Sequence, residues 1–323
     1  MAPTRRQALA ALGALTAAPW AQAQAFPSRT LTLVVVAPPG GAVDLAARGL
    51  QEPLGRALGQ PVVIDNKGGG NGTVGGNAVL AAPRDGHTLL LQFSGFQTMT
   101  PHLVKLPYDP MKEFQAVCNV MSAPQVLVIR PTLEGVTTAA DLVRHARANP
   151  GKLNYASGGN GSVQHVAAEL FQANTGTRMS HIPFKGSAQM VTSVLSGDVD
   201  MVFTTAPALI QHIQVGKLRP LLVSSRSRLS SLPAVPTSAE AGIPDFEVSS
   251  WFALYAQAQV PGAAVQRIAD EVARIVAAPA FQQMAETQGA QPDFMNPQQL
   301  RTFAQAEYDR WGRIIRTAGI RGD

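Results

Sequence analysis

The chain has 323 residues, 46% hydrophobic and 15% charged, a globular composition that is long enough for two domains and excludes an intrinsically disordered protein. Its formal charge of +5 comes from scattered Lys and Arg rather than from a basic stripe, so a nucleic-acid partner is not expected. Cys118 is the single cysteine, which excludes an intrachain disulfide.

The first 25 residues carry paired arginines, Arg5 and Arg6, then a short Ala/Leu stretch and two small-residue cleavage sites, Ala21-Gln22-Ala23 and Ala23-Gln24-Ala25. This is the layout of an export signal, with the mature chain beginning at Gln24 or Phe26. Thr4-Arg5-Arg6-Gln7 also resembles a twin-arginine signal. No later run is long and apolar enough to span a bilayer, so the expectation is a soluble exported protein, periplasmic in location.

Leu31 to Arg48, LTLVVVAPPGGAVDLAAR, organises the rest. Leu31, Leu33, Val34, Val35 and Val36 form a continuous β-branched-rich run, as expected of a strand buried on both faces of a parallel sheet. Pro38 and Pro39 cannot continue the ladder, and Gly40 and Gly41 leave backbone accessible to a ligand. A helix starting near Ala42 to Asp44 has unpartnered N–H groups and the positive end of its dipole facing that loop, so an anion is favoured there.

After this helix, Pro61 to Asp65 reads as a second strand and Gly68 to Gly76 as a glycine-rich loop. Gly70-x-Gly72-x-x-Gly75 formally matches a dinucleotide fingerprint, but no acidic residue ends the next strand, His87 to Phe93, so neither nicotinamide nor flavin is expected. Ser94 to Pro101 reads as a third loop at a strand end. Phe114 to Arg130 is a long strand, and Gly135 to Pro150 a helix capped by Thr137 or Thr138. From Leu153 the first pattern repeats: a short strand, the small-residue loop Ser157 to Ser162, then a helix from Val163 to Asn174. A helix over Ser187 to Ser196, strands at Val199 to Phe203, Lys217 to Ser224 and Glu247 to Ala256, and three C-terminal helices follow.

Two α/β halves joined at two extended crossings, near Val120 to Arg130 and Val248 to Ala258, make the plan of a binding protein that closes on its ligand. Catalytic chemistry is missing: there is no nucleophile elbow, zinc-protease helix or Walker-type loop, and the six histidines sit at no metal-ligand spacing. His165, one turn into its helix, is the histidine expected nearest the pocket. No catalytic residue, metal or cofactor is expected.

Phe26-Pro27-Ser28-Arg29, the Pro38 to Asp44 segment, Asp85-Gly86-His87-Thr88, Leu106-Pro107-Tyr108-Asp109-Pro110, Asn149 to Tyr155, His181 to Gly186, Gly197-Asp198-Val199-Asp200 and Ser250-Trp251-Phe252 together resemble the Bug family, in register across the mature chain. That family comprises exported receptors of tripartite tricarboxylate transporters. The resemblance implies a type II periplasmic-binding-protein fold, two α/β domains around a ligand cleft joined by two crossing strands. The two crossings divide the chain into domain 1 at 26–124 plus 248–323 and domain 2 at 125–247. The resemblance also implies a monomer that captures a small carboxylate and delivers it to membrane permease subunits. Departures stand at Ala42, Phe184 and the Ser94 to Thr98 segment, all expected at or beside the cleft, where they bear on ligand identity rather than on fold.

A carboxylate entering between the two loops would meet Pro39, Gly40, Gly41 and Ala42 on one side and Ser157, Asn160, Gly161 and Ser162 on the other. Charge-assisted bonds to such donors are roughly twice as strong as neutral ones. Ser94 is a further expected donor and Phe96 an apolar wall; Thr204 is an expected cleft residue, and Asp200 is either a cleft residue or a holder of the loops through their N–H groups. Two other readings use the same pocket: a metabolite-sensing receptor for a signalling partner, and an exported enzyme acting on a carboxylate.

Overall fold

The computed structural model describes residues 26–321, so the expected export signal lies outside the described residues. Strand β1 (Leu31–Val35) is buried as its apolar run requires, and runs parallel to β2 (Val62–Asn66) and β3 (Thr88–Phe93) on either side. Helices α1 (Ala42–Leu58) and α2 (Thr73–Leu80) make the crossovers between them. Where the third loop was expected, the chain instead forms a buried one-turn helix, α3 (Ser94–Thr98), followed by α4 (Pro110–Glu113).

Strand β4 (Phe114–Ile129) is the spine of the molecule. Beyond it lie α5 (Ala139–Ala148), β5 (Asn154–Ser157), α6 (Val163–Thr175), β6 (Ser180–Pro183), α7 (Ser187–Ser196), β7 (Met201–Thr205), α8 (Ile210–Gln214) and β8 (Arg219–Val223). The chain returns through β9 (Ser249–Gln257), α9 (Gly262–Ala277), α10 (Pro279–Thr287) and β10 (Gln291–Met295) to α11 (Pro297–Thr317). Thr138 closes a capping box on α5, in agreement with one of the two expected caps.

The strands join in the order β2-β1-β3-β9-β4-β7-β5-β6, with β8 and β10 also paired to β4. Residues Phe114 to Pro124 of β4 pair with β9, and Gln125 to Ile129 pair with β7 and β8. One strand therefore serves both halves of a curled sheet. Each half carries an apolar core on both faces, the pattern of a sheet wound with helices on either side. Leu300 and Ala304 of α11 pack into a core of the first half, whereas Trp311 and Ile315 of the same helix pack into a core of the second.

Candidate functional site

The carboxyl ends of β1, β2, β3, β5, β6 and β7 open onto one cavity of about 480 Å³. Ligands in open α/β sheets bind at that end of the strands. The first half contributes Val36 to Pro39, Gly41 to Val43 and Gly69 to Gly72, with Phe93, Ser250 and Phe252; the second contributes Gly158, Gly159, Ser162 to Gln164, Phe184 to Met190, Thr204 and Thr205.

Helices α1, α6 and α7 begin at this cavity, as does α2 at Gly72. Gly41 at the start of α1 and Gly186 at the start of α7 offer no side-chain cap, so the first amides of both helices have no partner within the helix. Ser162 caps α6 by accepting from the His165 N–H at 3.3 Å, which leaves its own hydroxyl proton available. The positive ends of these helix dipoles thus meet in one place. Thr204, 1% exposed at the end of β7, has a hydroxyl with no hydrogen-bond partner among the described residues.

Contacts between the halves close the cavity over. A methyl group on Gly186 would stand 3.2 Å from Pro38 Cγ, and one on Gly41 would stand 3.2 Å from Ser187 Oγ. Asn71 donates from its side chain to the Asn160 carbonyl, and the Thr100 hydroxyl donates to the Gly161 carbonyl at 3.1 Å. Gly72, at φ 100°, lies so close to Phe96 that a side chain there would collide with the ring at 2.8 Å.

A sequence profile described as the tripartite tricarboxylate transporter family receptor matches residues 46–320. The chain belongs to this receptor family. It is also 34% identical over 301 residues to the protein BugT of Bordetella pertussis, covering 93% of this chain and 92% of that protein. Among solved structures, the receptor superposes on R. palustris Rpa4515 with adipate at a TM-score of 0.87 and 33% identity, over 91% of this chain and 98% of that one. It superposes on MatC from Rhodopseudomonas palustris with bound malate at 0.84 and 28% identity, over 90% and 100%. The type II periplasmic-binding fold is therefore the receptor's own.

Of the residues expected at the receptor's cleft, Pro39, Gly41, Ala42, Ser162 and Thr204 line the cavity. Gly40 stands beside them, but its N–H donates to the Asp44 carboxylate at 3.0 Å. Ser157, Asn160 and Gly161 shape the second loop from behind. The Ser157 hydroxyl bonds His181 Nε2 and accepts from the Gly159 N–H, and the Asn160 and Gly161 carbonyls take the bonds described above. His165, expected near the pocket, is buried under that loop with its ring 4.6 Å from that of His181.

Three expectations are corrected by the packing. Ser94 is fully buried at the start of α3 with its hydroxyl toward the Ser249 carbonyl, not in the cleft. Phe96 lies beneath the glycine loop, edge-on to Tyr108 and Phe114, and so braces the wall without forming it. Asp200 precedes β7 at the end opposite Thr204, about 13 Å along the strand. There its carboxylate accepts from Arg130 Nε at 2.8 Å and the Asn154 N–H at 2.9 Å.

Asn71, Phe93, Phe252 and the wall from Lys185 to Met190 were not foreseen as site residues, whereas Phe184, expected at or beside the cleft, does line it. The signal for that wall was present, because His181 to Ser187 repeats the strand, small-residue turn and helix start seen at Leu31 and at Leu153.

Proposed function

We propose that the receptor captures a small carboxylate in the periplasm and presents it to the membrane subunits of a tripartite transporter. The observation that carries this is the meeting of the α1, α6 and α7 N-termini around the unpartnered Thr204 hydroxyl, in a lining with no acidic side chain. A carboxylate arriving there exchanges its water shell for N–H and O–H donors already held in place by the fold. The adipate and malate held by two similar receptors are carboxylates of this kind. Binding is the whole of the assigned activity, with the protein acting as a monomer and no reaction or cofactor invoked.

Segments 26–124 plus 248–323 and 125–247 act in this proposal as two domains that close on the ligand, and cleavage of residues 1–25 releases the exported form. A thermal-shift comparison of carboxylates with their methyl esters on the mature protein tests the binding step. A ligand at 100 times its dissociation constant adds about 2.7 kcal/mol of stability. The acids are expected to raise the melting temperature and the esters to leave it unchanged; equal shifts from both overturn the assignment.

A further inference from the structure

The helix N-termini account for one end of a ligand and leave the rest of the cavity unexplained. That remainder mixes polar side chains, Asn71, Gln164, Gln189 and Ser250 among them, with three phenylalanine rings. Phe93 on β3 and Phe252 on β9 are directly paired across neighbouring antiparallel strands, so both rings stand on the same face and form one floor. Phe184 reaches the cavity from the segment after β6, in the other half of the sheet, with Met190 and Val163 beside it. Lys185 is the one charged residue in the lining, and no carboxylate is present to receive an ammonium group. At about 480 Å³, the cavity falls in the range of about 300–1,000 Å³ usual for small organic ligands.

We propose that the cavity selects an aromatic carboxylate, its acid group at the α1, α6 and α7 N-termini and its ring between the Phe93–Phe252 floor and Phe184. This rests on the carboxylate reading above and names the class within it. A short aliphatic diacid would leave the Phe93, Phe252 and Phe184 rings without a partner, and Lys185 is the single charged lining residue that could meet its second carboxylate. An aromatic ring gains edge-to-face and offset contacts with phenylalanines beyond its buried area. An amino acid would bury its ammonium with no acidic partner.

Isothermal titration of the mature protein with benzoate, 2-naphthoate, cyclohexanecarboxylate, succinate, adipate and methyl benzoate tests this. The aromatic acids are expected to bind about tenfold or more tightly than either aliphatic diacid, and more tightly than the saturated ring acid. Phe184→Leu is expected to weaken the aromatic acids by about tenfold more than it weakens the diacids. Succinate or adipate binding more tightly than benzoate overturns the aromatic assignment and leaves the carboxylate reading standing, as does a Phe184→Leu effect equal on both classes. Methyl benzoate binding as well as benzoate overturns the carboxylate reading instead, and failure of every acid to bind overturns both.

Discussion

The backbone N–H of Gly40 donates to the Asp44 carboxylate at 3.0 Å, tying the tip of the first cleft loop to the first turn of the helix that follows it. The same carboxylate, 2% exposed, accepts from Arg48 Nε at 2.7 Å and from the Asn66 side chain at 3.0 Å. Asp44 is thus a brace for the loop, and the Gly40 amide is spent on it.

Asp44→Asn is expected to destabilise the protein by about 1–3 kcal/mol, the range for a buried group that loses a charged partner. Ligand affinity should fall with it, because Gly41 and Ala42 ride on the braced loop. Burial pushes the Asp44 carboxyl up, but its bonds to Arg48, Gly40 and Asn66 outweigh that and hold it below its ordinary value of 3.8. A carboxylate lowered in the fold stabilises above its unfolded value and loses that contribution as pH falls through the folded one. Chemical denaturation should therefore show the Asp44→Asn deficit undiminished from pH 8 to pH 5.

Ser162 and Thr204 should respond in opposite ways. Ser162→Ala removes a helix cap and is expected to cost about 0.5–2 kcal/mol of stability as well as affinity. Thr204→Val keeps the shape and deletes a hydroxyl with no protein partner, so affinity should fall by about tenfold with stability unchanged or raised. Calorimetry paired with urea melts separates the two. A Thr204→Val protein that is less stable yet binds normally removes Thr204 from the site.

His102 is expected to make the fold acid-sensitive. Burial lowers its pKa from 6.5, with Arg316 acting in the same direction, while the bond to the Tyr308 carbonyl at 3.0 Å acts the other way. A histidine lowered in the fold contributes stability above 6.5, and that contribution is lost as pH falls below it. Urea midpoints at pH 7.5 and 5.5 should drop more for the natural protein than for His102→Gln. Equal drops would assign the acid sensitivity elsewhere.

Closure of the cleft is expected to turn on β4 near Pro124 and Gln125, on Val248, whose carbonyl accepts from the Gln125 N–H at 3.2 Å, and on the middle of α11 between Ala304 and Trp311. The Pro38 to Gly186 and Gly41 to Ser187 approaches belong to the closed arrangement. Solution scattering should show a smaller radius of gyration with saturating ligand than without. An unchanged radius would mean that these contacts persist in the empty protein.

Much of the fold was legible because hydrophobic pattern and turn chemistry agreed. The Leu31 run, the Pro-Pro-Gly-Gly break and the long apolar stretch from Phe114 each became the element expected. Strand β10 was not foreseen, because Gln291–Met295 contains a proline and an aspartate, shows no alternation, and pairs with β4 only through a register shift. The Ser94 to Thr98 segment read as a loop at a strand end because it is polar. Its polar groups are instead satisfied internally, Gln92 donating to Gln97, Gln97 to the Pro110 carbonyl and Thr98 to the Ser94 carbonyl. In the site, the loops that carry glycine and serine were recognisable by residue type. Lys185 to Met190 was passed over because this third strand-to-helix turn was not matched to the first two, although Gly186 opens its helix as Gly41 opens α1. Asp200 precedes its strand, at the end away from the cleft, so of its two expected roles the cleft role fails and its carboxylate instead accepts from a backbone N–H, that of Asn154.

Helix α11 has a consequence for the order in which the molecule can be completed. Trp311 is fully buried in the core of residues that come mostly from positions 127–248, and Ile315 and Ile320 lie with it. A growing chain can therefore possess every strand of the sheet and still have a hole in its second core until its last stretch arrives. Contacts so distant in sequence slow folding. They also join the two cores into one cooperative unit, so that a chain ending before residue 305 should melt in two shallow steps where the full-length protein melts in one.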